Sequence, residues 1–413
     1  MKARLSLALA GALSAAVLGV AFADDDVRAA PAYKLLTTIP VPPIAPNTQM
    51  RSFDISWIDA ETQLYYLADR SNKAVDVVDA RRNVFKKQIQ AGFTGFNGSN
   101  DTSGPNGVVV SGHWLFVTDY PSRVFSIDLR TDTVADMIST GGVNRTDELA
   151  YDPEDSLILA VNNADDPPFA SLIKVDRNTG KLTLLKRITF DDATNGAEQP
   201  VWHPGTGRFY ISIPQIGANP QDGAVKRIST AGVVEATYPV RLCQPAGLTV
   251  GPNGDLLIGC SVVFDEAGNV WNRDAAGLAP SAKPESVIID ARNGSIDRRV
   301  QGVGGNDEVW YNPGDNRYYL AARNQPGGSS PGNANFSPVL GIVDAGLMRL
   351  DQVVPTVNVP SSGALPSGSA HSVAVNPHNN HAFVPLPADN VVSNCHTGCI
   401  GVYGSPRRDR DDD

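Results

Sequence analysis

A chain of 413 residues, 42% hydrophobic and 19% charged, carries enough apolar side chains for a sizeable core, which excludes global disorder. Its formal net charge of −10 argues against nucleic acid or an anionic membrane surface as partner. Beyond the first two dozen residues no stretch is long and apolar enough to span a bilayer as a helix.

The chain opens with basic Lys2 and Arg4, an apolar run from Leu5 to Val20, and the small-x-small triplet Ala21-Phe22-Ala23 before Asp24-Asp25-Asp26. That order predicts a signal peptide over 1–23, a linker over 24–32, and a secreted or periplasmic product. A single domain is expected over 33–404, and a disordered charged tail over 405–413.

Within the domain, a strand, a tight turn rich in Asp, Asn, Gly or Pro, and a second strand recur. The copies begin with "DISWIDAETQLYYLAD" (Asp54 to Asp69), "NGVVVSGHWLFVTD" (Asn106 to Asp119) and "ELAYDPEDSLILAV" (Glu148 to Val161). They continue with "QPVWHPGTGRFYISI" (Gln199 to Ile213), "GLTVGPNGDLLIGC" (Gly247 to Cys260), "EVWYNPGDNRYYLAA" (Glu308 to Ala322) and "SVAVNPHNNHAFVPL" (Ser372 to Leu386). The first and last turns, at Asp59 and Asn376, lie six intervals apart, a mean period of about 53 residues. A third strand ending in Asp follows most hairpins, as in "AVDVVD" (Ala74 to Asp79), and then a fourth, as in "LTLLKRITF" (Leu182 to Phe190). Four antiparallel strands at this period predict an all-β, seven-bladed β-propeller. The last copy lacks a fourth strand, and "YKLLTTIPV" (Tyr33 to Val41) is a spare one, so the N-terminal strand should complete the last blade.

The stretches "SVAVNPHNNHAFV" and "LFVTDYPSRVFSIDLRTDTV" (Ser372 to Val384, Leu115 to Val134) resemble bacterial YVTN-type propeller repeats. More distantly the chain is similar to gluconolactonase-like and paraoxonase-like propellers. The resemblance implies the fold; the repeats serve enzymes, binding proteins and scaffolds alike.

Four cysteines in an exported chain predict two disulfides, Cys243 with Cys260 and Cys395 with Cys399, with a metal cluster at "CHTGC" as the alternative for the second pair. The turns between first and second strands are short. The loops between second and third strands are long in the later blades: Ser261 to Glu285 with Trp271 inside it, Asn324 to Phe336, and Pro387 to Asn394. Binding of a small molecule or a protein is therefore expected on the face that bears the long loops.

The acids just before each first strand should meet at the mouth of the channel on that face. Alignment on the turns places Asp54, Asp147, Glu198, Asp307 and His371 at one level, and Glu148, Gln199 and Glu308 beside them. Asn106 and Asn306 fall near the same height, with Asn162, Asn163, Asp165, Arg323 and Asn324 from the ends of second strands. Crowded carboxylates seek water, protons, an Arg partner or a cation. Asp147, Glu148, Asp307 and Glu308 are the candidate ligands for a divalent ion such as Ca²⁺. His371 is the candidate catalytic base, whereas His378 and His381 of "HNNH" lie in a turn on the opposite face. Three readings follow: a ligand-binding propeller, a metal-dependent lactonase-like hydrolase or lyase, and a cell-envelope scaffold with a hydrated channel. No HExxH, Gly-x-Ser-x-Gly or phosphate-binding Gly loop adds a further one.

Overall fold

The computed structural model describes residues 32–271, 283–325, 338–356 and 370–406. The expected signal peptide, nearly all of the linker, most of the charged tail, the Trp271 side chain and 326–336 of the second long loop lie outside the described residues.

Each repeat folds as an antiparallel sheet with its strands in sequence order. Blade one comprises Ser56–Asp59, Leu64–Asp69, Ala74–Asp79 and Val84–Ile89, and blade three Leu149–Asp152, Leu157–Asn162, Phe169–Val175 and Leu182–Thr189. The first strand of every blade touches the first strand of the next, and that of blade seven (Ala374–Asn376) returns to blade one. The chain is thus a seven-bladed propeller around a central channel.

The repeat residues explain the hairpins. Asp59, Asp152, Asn312 and Asn376 each end a first strand, and their side-chain oxygens accept the N–H two residues on, at 3.2, 2.8, 3.2 and 3.1 Å. The turn then needs a left-handed residue, supplied by Gln63, Ser156, Asn316 and Asn380 at φ of 52–58°. Second strands such as Leu157–Asn162 are buried throughout because neighbouring blades cover both faces. Fourth strands such as Leu182–Thr189 are mostly exposed. Buried clusters fill each junction between blades, so the core is a ring.

The ring closes as expected. Lys34–Pro40 pairs antiparallel with Cys399–Gly404, from Lys34 opposite Gly404 to Pro40 opposite Cys399. Ile39 and Val41 then bury themselves with Phe53, Ile58, Phe383 and Val402. Both disulfides form as paired: Cys243–Cys260 with Cα atoms 5.2 Å apart, and Cys395–Cys399 at 4.9 Å. The latter removes the metal-cluster alternative.

Blade five departs from the expected boundaries. Its first strand starts at Cys243, and its second runs past Cys260 to Phe264 and returns as Val270–Trp271. The β-branched pair Val262-Val263 simply continues the strand into what reads as loop. In the same blade Gly247 is obligatory, because a Cβ there would sit 2.1 Å from the Asp307 carbonyl of blade six.

Candidate functional site

The residues before the first strands meet at the loop-bearing end of the channel. Asp54 is 4% exposed and is held from three sides: Arg70 donates to Oδ2, Arg145 reaches the same oxygen at 3.3 Å, and His371 Nε2 lies 2.8 Å from Oδ1. Arg145 also pairs with Asp147 at 2.8 Å. His371 Nδ1 lies 2.8 Å from Asp307 Oδ2, which Arg323 reaches at 3.0 Å. Arg70, 1% exposed, extends the network to Asn106 at 2.9 Å, and Arg145 extends it to Asn163 at 3.4 Å. One polar assembly thereby bridges the pore between blades one, two, three, six and seven.

Arg70 and Arg145 change the chemistry that the sequence suggested. Burial alone would raise Asp54, but Arg70, His371 and Arg145 overcome it and hold the carboxyl far below the usual range. Burial favours a neutral His371 ring, yet Asp307 and Asp54 on its two nitrogens push it up to about 9. The ring is protonated at neutral pH and faces carboxylates on both sides, so it has no lone pair to act as a base. Arg323 Nη1, 2.8 Å from His371 Nδ1, is then a second donor sharing Asp307.

The four candidate metal ligands do not fit a divalent cation. Asp147 and Asp307 face Arg145, Arg323 and His371, which put positive charge where the ion would sit. Glu308 Oε2 accepts from Ser372 Oγ and from the Val373 N–H at 3.0 Å. Among the described residues no three His, Cys, Asp or Glu side chains form a group that holds a metal.

Other predicted residues serve neighbouring contacts. Asn162 bonds to Ser122 at 2.9 Å and Asp165 at 3.0 Å, and Asp165 takes the Val143 N–H at 2.8 Å, so this pair fixes loops of blades two and three. Asn306 donates to Ser286 at 2.6 Å between blades five and six. The Asn324 Oδ1 is buried without a hydrogen-bond partner among the described residues. Gln199 Oε1 accepts the Leu248 N–H at 2.7 Å, tying blade four to blade five. Glu198 is half-buried beside the assembly; burial, then Asp147 and Asp307, push it up to about 8. His378 is a turn residue, 2.9 Å from the Ala60 carbonyl, whereas His381 lies past the turn and opens the second strand of blade seven opposite Asn376.

Beneath the ion pairs lies a cavity of about 380 Å³, lined by first-strand residues of six blades and reaching Pro153 in a short turn. Glu148, Gln199 and Glu308 line it at the end next to the ion pairs, and Trp57, Tyr151, Trp202, Trp310 and Tyr311 line it beyond. Trp57 and Trp310 meet edge to face with centroids 5.1 Å apart. Glu148 is 7% exposed, and neither of its oxygens has a hydrogen-bond partner among the described residues. Burial, reinforced by Asp147, Glu198 and Glu308, pushes it well above the usual carboxyl range, and burial pushes Glu308 up to about 8. The sequence carries both missed features. Arg70 follows its second strand as Arg323 follows its own, and blades one, three, four and six put an aromatic residue at the second or third position of the first strand.

These shifts set a pH dependence. Asp147, raised by burial to about 7, with Glu198 and Glu308 at about 8, binds its proton more tightly folded than unfolded. Their stabilisation is present in acid and is lost as pH climbs through those values. The His371 contribution is complete below about 6.5 and is lost through about 9. Asp307, which burial would raise but His371 and Arg323 lower to about 2, works oppositely and loses its contribution only as pH falls from about 4. Thermal scans should show a melting temperature that falls steadily between about pH 5 and about pH 9. A flat profile across that range would contradict the network's protonation.

No family model matches the chain, and no curated protein matches it. Among solved structures it is similar to hydrazine synthase from Kuenenia stuttgartiensis, with 13% identity, a TM-score of 0.60, and coverage of 87% of this chain and 96% of that one. It is also similar to the WD40 domain of Neurospora crassa Pan2, with 12% identity, a TM-score of 0.57, and coverage of 91% and 96%. At such identities the likeness is one of β-propeller fold.

Proposed function

We propose that this protein is an exported binding propeller of the YVTN kind whose small-molecule ligand sits in the central channel. The observation that carries this reading is the cavity beneath the ion pairs, with the unpartnered Glu148 carboxyl lining its inner end. Pockets for small ligands are typically apolar, with a few placed polar groups, and this one matches that description. Purely structural channel polar groups pair with neighbours, as Gln199 does through Leu248. The leader-like N-terminus and two disulfides support export to an oxidising compartment. The lactonase-like hydrolase draws less support, since Asp147 and Asp307 are committed to Arg and His donors. Compared with the expectation from loop lengths, the reading moves the ligand from the long-loop face into the channel on the short-turn side.

A small-molecule screen read by thermal shift and tryptophan fluorescence tests it. Hits should stabilise the wild type and perturb its emission, because Trp57, Trp202 and Trp310 line the cavity. Val201→Trp, which adds bulk to the cavity wall, should abolish both effects. Hits that bind Val201→Trp as well as the wild type would remove the channel as the site.

A further inference from the structure

We infer that the channel ligand is an organic ammonium compound, its charged head between Glu148 and Glu308 and its apolar body against the Trp and Tyr walls. This rests on the channel reading above and adds the ligand's chemical class.

The polar groups of the cavity are gathered at one end. Glu148 and Glu308 line it beside Gln199, whose acceptor oxygen is already used by Leu248. Thr249 accepts the Tyr311 N–H at 3.2 Å, and the Tyr311 hydroxyl is taken by Asn316 at 2.9 Å. The indole nitrogens of Trp57 and Trp202 are covered by protein atoms, so the surface those rings turn to the cavity is carbon. A sugar or other polyol needs donors and acceptors spread along its length, and the walls do not offer them. A molecule with one polar head and an apolar body matches the distribution.

The sign of the head follows from the charges around it. Glu148 is surrounded by the carboxyls of Asp147, Glu198, Glu308 and Asp54. Arg70, Arg145, Arg323 and His371 are spent on Asp54, Asp147 and Asp307 in the assembly above. An anionic head finds no unspent cation at this end among the described residues, whereas an ammonium supplies the counter-charge that Glu148 and Glu308 lack. The aromatic faces add cation–π attraction, for which Trp is the strongest partner. Burial favours the protonated form of both glutamates; an arriving ammonium favours ionisation and displaces a proton to solvent.

Three probes of matched size test the assignment on the wild-type protein: phenethylammonium, phenethyl alcohol and phenylacetate. Titration followed by tryptophan quenching should rank ammonium at least about tenfold above the alcohol, with the carboxylate weakest. Affinity for the ammonium probe should rise by up to about tenfold per pH unit below about pH 8, and calorimetry in two buffers should register proton release. Glu148→Gln with Glu308→Gln should bring the ammonium probe down to the level of the alcohol and abolish the proton release. Alcohol or carboxylate binding as tightly as ammonium, with Val201→Trp blocking all three, would overturn the ammonium assignment and leave the channel site standing. Absence of quenching by every probe would overturn the ammonium assignment; absence of any screening hit sensitive to Val201→Trp would overturn the channel site as well. Should the double variant fail to fold, the probe ranking and pH slope of the wild type decide the matter alone.

Discussion

Asp54→Asn should cost on the order of 3–5 kcal/mol of folding stability, among the largest losses any single conservative change in this protein can produce. The substitution preserves shape, removes the negative charge and exchanges one acceptor oxygen for an NH2 group that faces Arg or His donors. Arg70, Arg145 and His371 then face one another across a site that is 4% exposed, with no carboxylate between them. Breaking a buried pair from one side is far more damaging than never having built it, because the orphaned charges stay desolvated. Chemical denaturation at neutral pH reads the loss. Asp59→Asn is the control: Asp59 caps a turn through its side-chain oxygen, a task Asn performs equally, so the change should stay within about 0.5 kcal/mol. The Asp54 variant should also lower the pKa of His371, which keeps only Asp307, and shift the alkaline loss of stability to lower pH. A variant as stable as the wild type would reduce the assembly to surface decoration.

The second large effect is expected from removing the closing strand. A chain starting at residue 42 loses the ladder between Lys34–Pro40 and Cys399–Gly404 and the burial of Ile39 and Val41. Those two side chains contribute roughly 1.5–3 kcal/mol each, and the bared strand Cys399–Gly404 becomes a fully apolar-flanked open edge. The shortened chain should lose its single cooperative unfolding transition and form oligomers by size exclusion. A synthetic peptide covering Tyr33 to Val41 should restore monomer and transition when added in excess. A shortened chain that remains monomeric with an unchanged transition would mean that the seam is held elsewhere.

The fold was legible because it rests on local chemistry repeated in order. An Asx turn at Asp59, Asp152, Asn312 and Asn376 writes itself into sequence, and so does the missing fourth strand of the last copy. Position along the channel was legible too, since residues aligned on turns do share a level: Asp54, Asp147, Asp307 and His371 converge. What the alignment hid was partnership. Arg145 lies in the segment joining two blades and crosses the pore to reach Asp54, a contact over 91 residues that no repeat encodes. Reading acids without those cations suggests a cation site, and adding the cations turns it into a neutralised girder. Asn162 and Asp165 illustrate the same blindness from the other side, because rim position does not reveal that they point at Ser122 and Val143. The aromatic lining was readable from Trp57, Tyr151, Trp202 and Trp310, but apolar residues in a strand ordinarily mean core.

Because the first strand of the propeller pairs with its last, the ring cannot close until the segment through Gly404 has been made. Earlier blades gain their neighbours as the chain lengthens, yet each partial stack still ends in two naked flanks until Gly404 emerges. The seam is therefore the last inter-strand ladder that the growing propeller can complete.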